Sequence, residues 1–581
     1  MVDNHKGFVE HKETKEVFDV IVVGSGITGG WAAKEFCEKG FKTLMVERGR
    51  FVEHRKDYIG EGVATWDFKH RTIPSNKIVE QQYKIQQHCY AFTDATKHFF
   101  GNDAELPYTT EKDSDFRWIR ANQLGGKSLL WHRQSYRMSD FDFNANKSDG
   151  YGVDWPIRYN DLADWYSYVE KFVGVSGNQD GLTQIPDGEF QLPFQLNQPE
   201  LDLKATFKKT FPEYDLIMGR TAHLTQPTDI HLSLGRSTCQ ARNECHKGCS
   251  FGAYFSTLSA TLPAAAKTDK LHLATNSVVH SLIYDEQKNR VLGIRVIDNE
   301  DLSTREYFAN VVFLCASTLA TTQIMLNTKT PKSPNGIANS SGALGHYLMD
   351  HNYSGTASGV LEQYGDEYAT GRRPTGFIIP NVLFEPKRYA NKFKRGYTIF
   401  GKARRKSWLK MRHDPGFGLE FKNKLTQAGP WGMDLRSAGE MLPRYENEVS
   451  LNTSKTDKWG MPQLHINCNW SQNEHDMIDH MVETSTKFLK AMGATDIKGG
   501  NHTTSTPPGA TIHEVGTARM GRDPKTSVLN GFNQSHDIPN LFVTDGSAYP
   551  SIATVNPSLT FMALTVRAVD YCVKELKARR I

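Results

Sequence analysis

A glycine loop near the start of the sequence has the spacing of a dinucleotide-binding turn. Gly24, Gly26 and Gly29 form G-x-G-x-x-G. In such a loop the first glycine permits the tight turn, the second lets the backbone approach a pyrophosphate, and the third lets helix and strand pack closely. The helix N-terminus then faces the phosphates, and Glu47, at the end of the next predicted strand, is placed to accept hydrogen bonds from ribose hydroxyls. The loop predicts a dinucleotide site, and by itself it does not distinguish FAD from NAD.

Three cysteines form a second group of residues whose side chains could do chemistry. Of the eight cysteines, Cys239, Cys245 and Cys249 are clustered as C-x5-C-x3-C, and the others are scattered. Clustered thiolates in a chain otherwise poor in cysteine indicate a site for a soft metal. From ligand type and spacing, the alternatives are an iron–sulfur cluster, a zinc site completed by His246, a disulfide or free thiols.

These groups need secondary structure to position them. The β-branched run 18–23 predicts a buried parallel strand. After the loop 24–30, residues 31–40 predict a helix ended by Gly40, and residues 42–47 predict the next strand. Elsewhere the patterns predict a hairpin at 274–298, strands at 306–317, near 396–400, near 447–452 and at 540–544, and helices near 474–492 and 558–577.

Length and composition describe an ordinary globular protein with balanced charge. The chain has 581 residues, a net charge of +4, 38% hydrophobic residues and 23% charged residues. This balance gives no indication of binding to nucleic acid or to an anionic membrane surface. No apolar run is long enough for a membrane span, and the polar start shows no secretory signal. Residence in the cytoplasm and export bound to a signal-bearing partner are both compatible with this start.

The Rossmann-like strands lie at both ends and in the middle of the chain. We therefore predict a mixed α/β protein, with a discontinuous Rossmann-like domain and an inserted substrate domain built on an antiparallel sheet with helices. The predicted nucleotide domain takes 17–60, 115–140, 230–345 and 505–581. The substrate domain takes 141–229 and 346–504, and a lid or subunit-contact segment takes 61–114.

The C-terminal region carries the strongest resemblance to a known family. Residues 510–563 contain H-x-x-G-T-x-x-M-G, then N-L-x-V-x-D-x-S, then N-P-S-L-T. Together with GSGITGG…VERG and LGGKS at 124–128, these motifs resemble the glucose-methanol-choline (GMC) oxidoreductases, in the family's order. The resemblance implies FAD as cofactor and an enzyme that oxidises a hydroxyl group.

The resemblance implies His513 as catalytic base and Asn556 as its partner. A neutral histidine accepts the hydroxyl proton, Asn556 holds the same oxygen, and the hydride goes to the flavin. Asp545 and Gly546 would meet the pyrophosphate or ribityl chain, and the helix start at Pro557, Ser558 and Leu559 would face the flavin ring. The complete set of expected FAD contacts is Gly24, Gly26, Ile27, Thr28, Gly29, Glu47, Arg48, Gly125, Gly126, Ser128, Val279, Asp545, Gly546, Pro557, Ser558 and Leu559.

His132 and His502 are weaker catalytic candidates. In the related pyranose oxidases, a histidine between the glycine turn and a tryptophan binds the flavin covalently. Here Leu130 stands directly before Trp131. We therefore expect FAD to be non-covalent.

The cysteine segment resembles one in bacterial FAD-dependent sugar dehydrogenases, which holds a three-iron, four-sulfur cluster. The first spacing is longer by one residue here, and Ser250 replaces the usual proline. The resemblance implies a 3Fe-4S cluster on Cys239, Cys245 and Cys249 that passes electrons to an external acceptor.

The aromatic stretch 135–173 and residues 256–266 resemble the sugar-oxidising branch, with the bacterial glucoside 3-dehydrogenases nearest. We therefore predict a dehydrogenase that oxidises a sugar hydroxyl, at C3 of glucosides, with a small subunit and a cytochrome-type electron acceptor as partners. One alternative is an oxygen-using enzyme of pyranose-oxidase type with structural cysteines. Another is a non-catalytic flavin-binding or assembly subunit, against which the intact His513 and Asn556 pair argues.

Overall fold

Alternating apolar residues and glycine turns divide the chain into many short elements. The computed structural model describes residues 9–10, 17–368, 374–380 and 392–581. The strands are β1 (Val9–Glu10), β2 (Val17–Val23), β3 (Thr43–Val46), β4 (Thr109–Thr110), β5 (Ile217–Met218), β6 (Leu271–Ala274), β7 (Ser277–Asp285), β8 (Arg290–Asp298), β9 (Thr304–Leu314), β10 (Gly355–Val360), β11 (Phe377–Ile379), β12 (Tyr397–Arg405), β13 (Trp431–Gly439), β14 (Glu448–Thr456), β15 (Pro462–Asn467), β16 (Thr495–Asn501) and β17 (Leu541–Val543).

The helices connect these strands and cover their faces. They are α1 (Ile27–Glu38), α2 (Asn76–Gln82), α3 (Asp140–Asp149), α4 (Ala163–Val173), α5 (Gln198–Thr210), α6 (Asp229–Ser233), α7 (Thr261–Ala266), α8 (Thr318–Asn327), α9 (Trp408–Met411), α10 (Gly418–Thr426), α11 (Gln472–Ala491) and α12 (Ser558–Lys577). In the described part of the chain, no helix combines the length and the apolar character needed to cross a membrane.

The first sheet has the order β1-β6-β3-β2-β9-β8-β7, with β17 also beside β9. Its central pairs, β3 with β2 and β2 with β9, are parallel, and β7 and β8 form the predicted antiparallel hairpin. The central strand β2 is buried along most of its length, as its β-branched run predicts. The carboxyl ends of these parallel strands therefore lie at one edge, where nucleotide sites form.

A second, antiparallel sheet has the order β16-β10-β13-β12-β11-β5. One face of its central strands, including Ile399 and Leu435, is buried in a cluster with Met477, Met481 and Phe488 of α11. The other face lies toward the site described below. A third sheet has the order β14-β15-β4. The mixed α/β fold with an antiparallel second sheet is as predicted, and the predicted domain bounds stay a prediction.

The first helix begins earlier than predicted. We expected it to follow the loop at residue 31, but α1 begins at Ile27, with Gly26 as its N-cap. The last four residues of the glycine loop are already helical, because Gly29 lets the first turn of the helix approach the backbone of Gly24. Strands β12 and β14 also run further than predicted, to Arg405 and Thr456.

Candidate active site

Two of the loop glycines are required by close backbone contacts. Gly24 has φ +97°, and a Cβ atom there would lie 2.5 Å from the carbonyl oxygen of Cys315. A Cβ on Gly29 would lie 1.9 Å from the carbonyl oxygen of Gly24. No side chain fits at either position, so strand, turn and helix pack at the separation that a Rossmann unit requires.

The second glycine of the loop, Gly26, faces open space. A Cβ on Gly26 would meet no protein atom within 4 Å. Gly26 caps α1 without any side-chain hydrogen bond, so the first helical N–H groups, at Ile27 and Thr28, lie at an N-terminus without a side-chain cap. A helix N-terminus with an open approach is suited to an anionic group. The residues present therefore fit the pyrophosphate of a dinucleotide.

Glu47 lies at the end of β3 and is held in place by the glycine loop. Its carboxylate accepts hydrogen bonds from the Ser25 hydroxyl at 2.5 Å, the Ser25 amide at 3.1 Å and the Gly49 amide at 2.9 Å. Burial raises the pKa of this carboxyl group. Ser277, at the start of β7, donates its amide to the Glu47 carbonyl. Val279, two residues further on, is therefore on the strand that begins beside Glu47.

The second glycine turn packs directly against the first. The Gly125 amide donates to the Ser25 hydroxyl at 2.9 Å, and a Cβ on Gly126 would lie 3.4 Å from the Gly26 Cα. Ser128 closes this turn by donating to the Gly125 carbonyl at 2.5 Å. The two predicted loops therefore meet. Arg48, which is half-buried, instead places its guanidinium 5.3 Å from the Trp459 ring.

The C-terminal block brings two further predicted positions to the edge of the first sheet. Asp545 follows β17, and its buried carboxylate accepts from the Thr321 hydroxyl at 2.5 Å and the Ser547 hydroxyl at 2.6 Å. A Cβ on Gly546 would lie 2.6 Å from the Glu514 carbonyl oxygen, so this turn lies against the segment that carries His513.

The second predicted position in this block is the start of α12. Pro557 is the N-cap of α12, which begins at Ser558 and has no side-chain cap. The next residue, Leu559, is fully buried. The helix start therefore leaves its first amide groups available for a ligand.

His513 lies in a hydrogen-bonded row of four groups. The Nδ1 atom of His351 lies 3.0 Å from the Nδ1 atom of His513, and the Nε2 atom of His351 lies 2.9 Å from the Ala553 carbonyl oxygen. On the other side, the Nδ2 atom of Asn556 lies 3.4 Å from the Nε2 atom of His513. The Oδ1 atom of Asn556 is buried and has no hydrogen-bond partner in the structure. The predicted catalytic pair is therefore adjacent, with one amide oxygen left for another group.

Both histidines in this row are neutral near pH 7. Burial lowers the pKa of His513 well below its usual range, and the neighbouring His351, Lys127 and His132 lower it further. Burial lowers the pKa of His351 to about 4. A neutral imidazole has one donor and one acceptor nitrogen, so the partners of each ring determine which nitrogen carries the proton.

A buried carboxylate holds the backbone that carries His513. Asp350 accepts amide hydrogen bonds from Gly509 at 2.8 Å, Thr511 at 3.2 Å and His513 at 3.0 Å. Burial raises the pKa of Asp350 to about 7. Because Asp350 directly precedes His351, one short segment orients both the backbone and the ring of His513.

The other two candidate histidines lie in different surroundings. His132 is largely exposed, yet burial among the surrounding groups, followed by the charges of Arg133, Lys402 and Arg436, lowers its pKa to about 4. His132 lies within electrostatic reach of His513. His502 is exposed at the end of β16, where its Nε2 atom bonds the Thr356 hydroxyl at 3.0 Å. His502 is therefore not part of the His513 row.

The three clustered cysteines line one cavity. Cys239, Cys245 and Cys249 surround a small space that is partly open to solvent, together with His223 and Tyr254. Burial raises the pKa of Cys239 to about 11, and the charges of the other two thiols add to this rise. The structure thus brings all three thiols together as free cysteines, and the disulfide alternative is not observed.

The cysteine loop is fastened to the segment before it. Glu61 accepts the Ser250 amide on both carboxylate oxygens at 3.0 Å and also pairs with Arg242. Among the residues that the structure describes, no three His, Cys, Asp or Glu side chains are grouped for a single metal ion. The zinc site completed by His246 and the 3Fe-4S cluster both stay predictions.

The cysteine loop also contacts the second glycine turn. The Arg133 guanidinium donates to the Leu129 carbonyl at 2.7 Å and to the Cys245 carbonyl at 2.9 Å. The rings of His132 and His246 stack with centroids 5.4 Å apart. The cavity of the cysteines and the expected flavin site are therefore neighbours.

Comparison with known proteins assigns the family. GMC oxidoreductase models match residues 18–353 and residues 443–565. The chain belongs to the GMC oxidoreductase family. It is a flavoprotein oxidoreductase that uses FAD and acts on CH–OH donors.

Individual relatives of this GMC oxidoreductase include sugar-oxidising enzymes. It is 25% identical to the fructose dehydrogenase large subunit of Gluconobacter japonicus, over 96% of this chain and 98% of that protein. It is 32% identical to a C-glycoside 3-oxidase of Arthrobacter globiformis, over 22% of this chain and 25% of that protein. The structure of pyridoxine 4-oxidase from Mesorbium loti has the same fold, with a TM-score of 0.58 and 16% identity, over 96% of this chain and 99% of that one.

The sequence interpretation of this GMC oxidoreductase missed His351 and Asp350. They lie 162 and 163 residues before His513. No spacing relates an Asp-His pair to a histidine so far away, so no signal in the sequence alone would have found them.

Proposed function

We propose that this protein is a dehydrogenase that oxidises a secondary hydroxyl of a sugar or glycoside to a ketone, at C3 of glucosides, with His513 as the base. The observation that carries this proposal is the row from the Ala553 carbonyl through His351 and His513 to Asn556. This row determines which nitrogen of His513 accepts the substrate proton.

The proton positions follow from the groups at the ends of the row. A carbonyl oxygen only accepts, so the Nε2 atom of His351 carries a proton and donates to Ala553. Because His351 is neutral, its Nδ1 atom is an acceptor, and the Nδ1 atom of His513 must donate to it. The Nε2 atom of neutral His513 is then unprotonated, as a general base requires.

This arrangement supports removal of a hydroxyl proton. A substrate hydroxyl that approaches the Nε2 atom of His513 donates its proton there, while the Nδ2 atom of Asn556 donates to the same oxygen. The carbon loses a hydride and the oxygen loses a proton, so two electrons and two protons leave the alcohol as it becomes a ketone. FAD, when bound, supplies the acceptor for the hydride at its N5 atom.

The residues of this chain fit non-covalent FAD binding. The open N-terminus of α1 and the buried Glu47 would hold the pyrophosphate and ribose. The uncapped start of α12, at Pro557, would meet the flavin ring. Its amide groups favour negative charge at that position.

The choice of substrate is supported by similarity to sugar-oxidising proteins. The fructose dehydrogenase large subunit resembles nearly the whole chain, and the C-glycoside 3-oxidase resembles part of it. Because the first of these relatives is a large subunit, we propose a small subunit as a partner of this protein. We include a cytochrome-type electron acceptor as the second partner.

The cysteine cavity supports electron transfer from the reduced flavin to an acceptor other than oxygen. Cys239, Cys245 and Cys249 line one space beside the second glycine turn, and three thiolates are a donor set suited to iron–sulfur binding. A 3Fe-4S cluster held there would accept electrons one at a time. This is why we propose a dehydrogenase rather than an oxidase.

The test begins with anaerobically purified protein. Absorbance spectra and iron and zinc analysis should show FAD together with iron. Flavin bands without iron would refute the proposal of a 3Fe-4S cluster. Glucosides should then reduce the flavin, with slow reoxidation by oxygen and fast reoxidation by an artificial acceptor. Fast reoxidation by oxygen would instead favour the pyranose-oxidase type of enzyme.

The base assignment needs its own variant. His513→Ala should retain FAD and lose about 10²- to 10⁴-fold in the rate of flavin reduction by sugar. His502→Ala is the matched control, because His502 is exposed and bonds only outside the row. Equal rates in the His513→Ala variant and the wild type would remove His513 from the mechanism.

A further inference from the structure

The antiparallel sheet presents positive charge on the face nearest His513. In the register of β12 and β13, Phe400 lies opposite Arg436, and Lys402 lies opposite Asp434. Directly opposite residues of neighbouring strands share a face, as do residues two apart on one strand. Phe400, Lys402, Asp434 and Arg436 therefore lie on one face, and the opposite face packs against α11.

An aromatic ring connects this face with the catalytic row. The Phe400 ring stacks on Tyr353 with centroids 6.0 Å apart and an interplanar angle of 19°. Tyr353 in turn lies 6.0 Å from the His513 ring and 6.2 Å from the His351 ring. Arg436, opposite Phe400, therefore lies on the sheet face that contacts Tyr353 beside His513.

Arg436 is available to bind a ligand. It is exposed, and it forms no ion pair with any residue in the described part of the chain. Asp434, two residues before Arg436 on the same face, pairs with Arg404 at 2.6 Å and lies 3.8 Å from Lys410. A guanidinium is a bidentate donor for carboxylates.

The acidic groups near His513 are already engaged. Both oxygens of Asp350 accept backbone amides, and Glu514 pairs with Lys127 at 3.0 Å. After burial and Arg133, the charges of Lys402 and Arg436 lower the pKa of the His132 ring. Arg436 therefore has no carboxylate partner among the described residues around His513, and its charge favours an anionic substrate.

We propose that Arg436 forms a subsite for a carboxylate carried by the substrate, so that the enzyme prefers acidic sugars such as uronates and glucuronides. This inference rests on the proposed function as a sugar dehydrogenase. It adds the chemical class of the substrate, which neither the family nor the catalytic row specifies.

The test compares two sugars that differ only in the group at C6. The FAD-loaded enzyme is mixed anaerobically with D-glucuronate or with D-glucose. Reduction of the flavin is followed, and kcat/KM is measured for each sugar. We expect the wild type to favour glucuronate. In Arg436→Gln the ratio of the two kcat/KM values should fall about 10- to 100-fold, the usual effect of losing a hydrogen-bonded charge.

Lys498→Gln is the matched control, because it removes an equal exposed charge from β16 of the same sheet and leaves the pair of Arg404 and Asp434 intact. Its ratio should change by less than about threefold. A wild type without preference for glucuronate would overturn the inference, and so would an Arg436→Gln variant with an unchanged ratio. In both cases, reduction by glucose would leave the proposed function intact.

Calorimetric binding of glucuronate to the oxidised, FAD-loaded enzyme gives an answer that does not depend on turnover. If no sugar reduces the flavin, the proposed function fails. Tighter binding to the wild type than to Arg436→Gln would still support the subsite, and equal binding would reject it.

Discussion

Replacement of His351 tests the proton arrangement of the catalytic row. In His351→Leu, the Nδ1–H group of His513 loses the acceptor that lies 3.0 Å away. A buried donor without a partner costs about 1–3 kcal/mol. The alternative tautomer places the proton on Nε2, where it can donate to the unpaired Oδ1 atom of Asn556. The variant therefore favours the tautomer that cannot act as a base.

The free-energy cost gives the size of the effect. A shift of about 1–3 kcal/mol lowers the fraction of the reactive tautomer by about 5- to 150-fold. The rate of anaerobic flavin reduction by sugar, measured by stopped-flow absorbance, should fall by the same factor. FAD content should be unchanged, because the side chain of His351 bonds His513 and the Ala553 carbonyl, and neither is expected to bind the cofactor.

His351→Asn is the matched variant. The Oδ1 atom of asparagine occupies nearly the position of Nδ1 in histidine, so it can accept the His513 proton although the bond to Ala553 is lost. We expect this variant to recover part of the rate, with a pH profile like that of the wild type. The reasoning is refuted if His351→Leu, with FAD bound, reacts as fast as the wild type, or if His351→Asn is no faster than His351→Leu.

Three further predictions concern the cofactor loop, pH and the cysteine loop. Gly26→Ala should fold normally but bind FAD weakly, because its Cβ meets no protein atom and would occupy the space expected for the cofactor. Gly29→Ala should unfold at a lower temperature, since its Cβ would lie 1.9 Å from the Gly24 carbonyl oxygen. Measurements of FAD content and thermal unfolding contradict this reasoning if Gly26→Ala is the less stable variant and Gly29→Ala the one that folds normally but loses FAD. The pKa of His351 falls on folding from 6.5 to about 4, so the unfolded chain binds more protons in that window. Stability should therefore drop as pH falls from 6.5 toward 4, with His351 contributing about 1.4 kcal/mol per pH unit, and His351→Leu should weaken this dependence in urea titrations. Glu61→Gln should lower the iron content but not the FAD content, because the Ser250 amide and Arg242 lose their shared carboxylate acceptor. An unchanged iron content would show that Glu61 is not needed to hold the cysteine loop for the cluster.

The sequence was sufficient for the local parts of the fold. The β-branched run 18–23, the glycine loop and the strand before Glu47 were predicted because each depends on neighbours in the chain and on backbone freedom at glycine. The helix near 474–492 and the hairpin at 274–298 were predicted for the same reason, since periodicity reports which face is buried. The start of α1 was misplaced by four residues, because a glycine-rich sequence does not show where the helical turn begins.

Only the tertiary structure decided how the site works. The motif containing His513 was visible in the sequence. Which nitrogen of His513 is unprotonated, however, depends on His351, which is 162 residues away. The charge beside the site depends on the register that places Arg436 opposite Phe400, and a shift of one residue would turn that side chain to the other face. Contacts of this kind arise where distant segments meet in a packed sheet, so no local pattern in the sequence contains them.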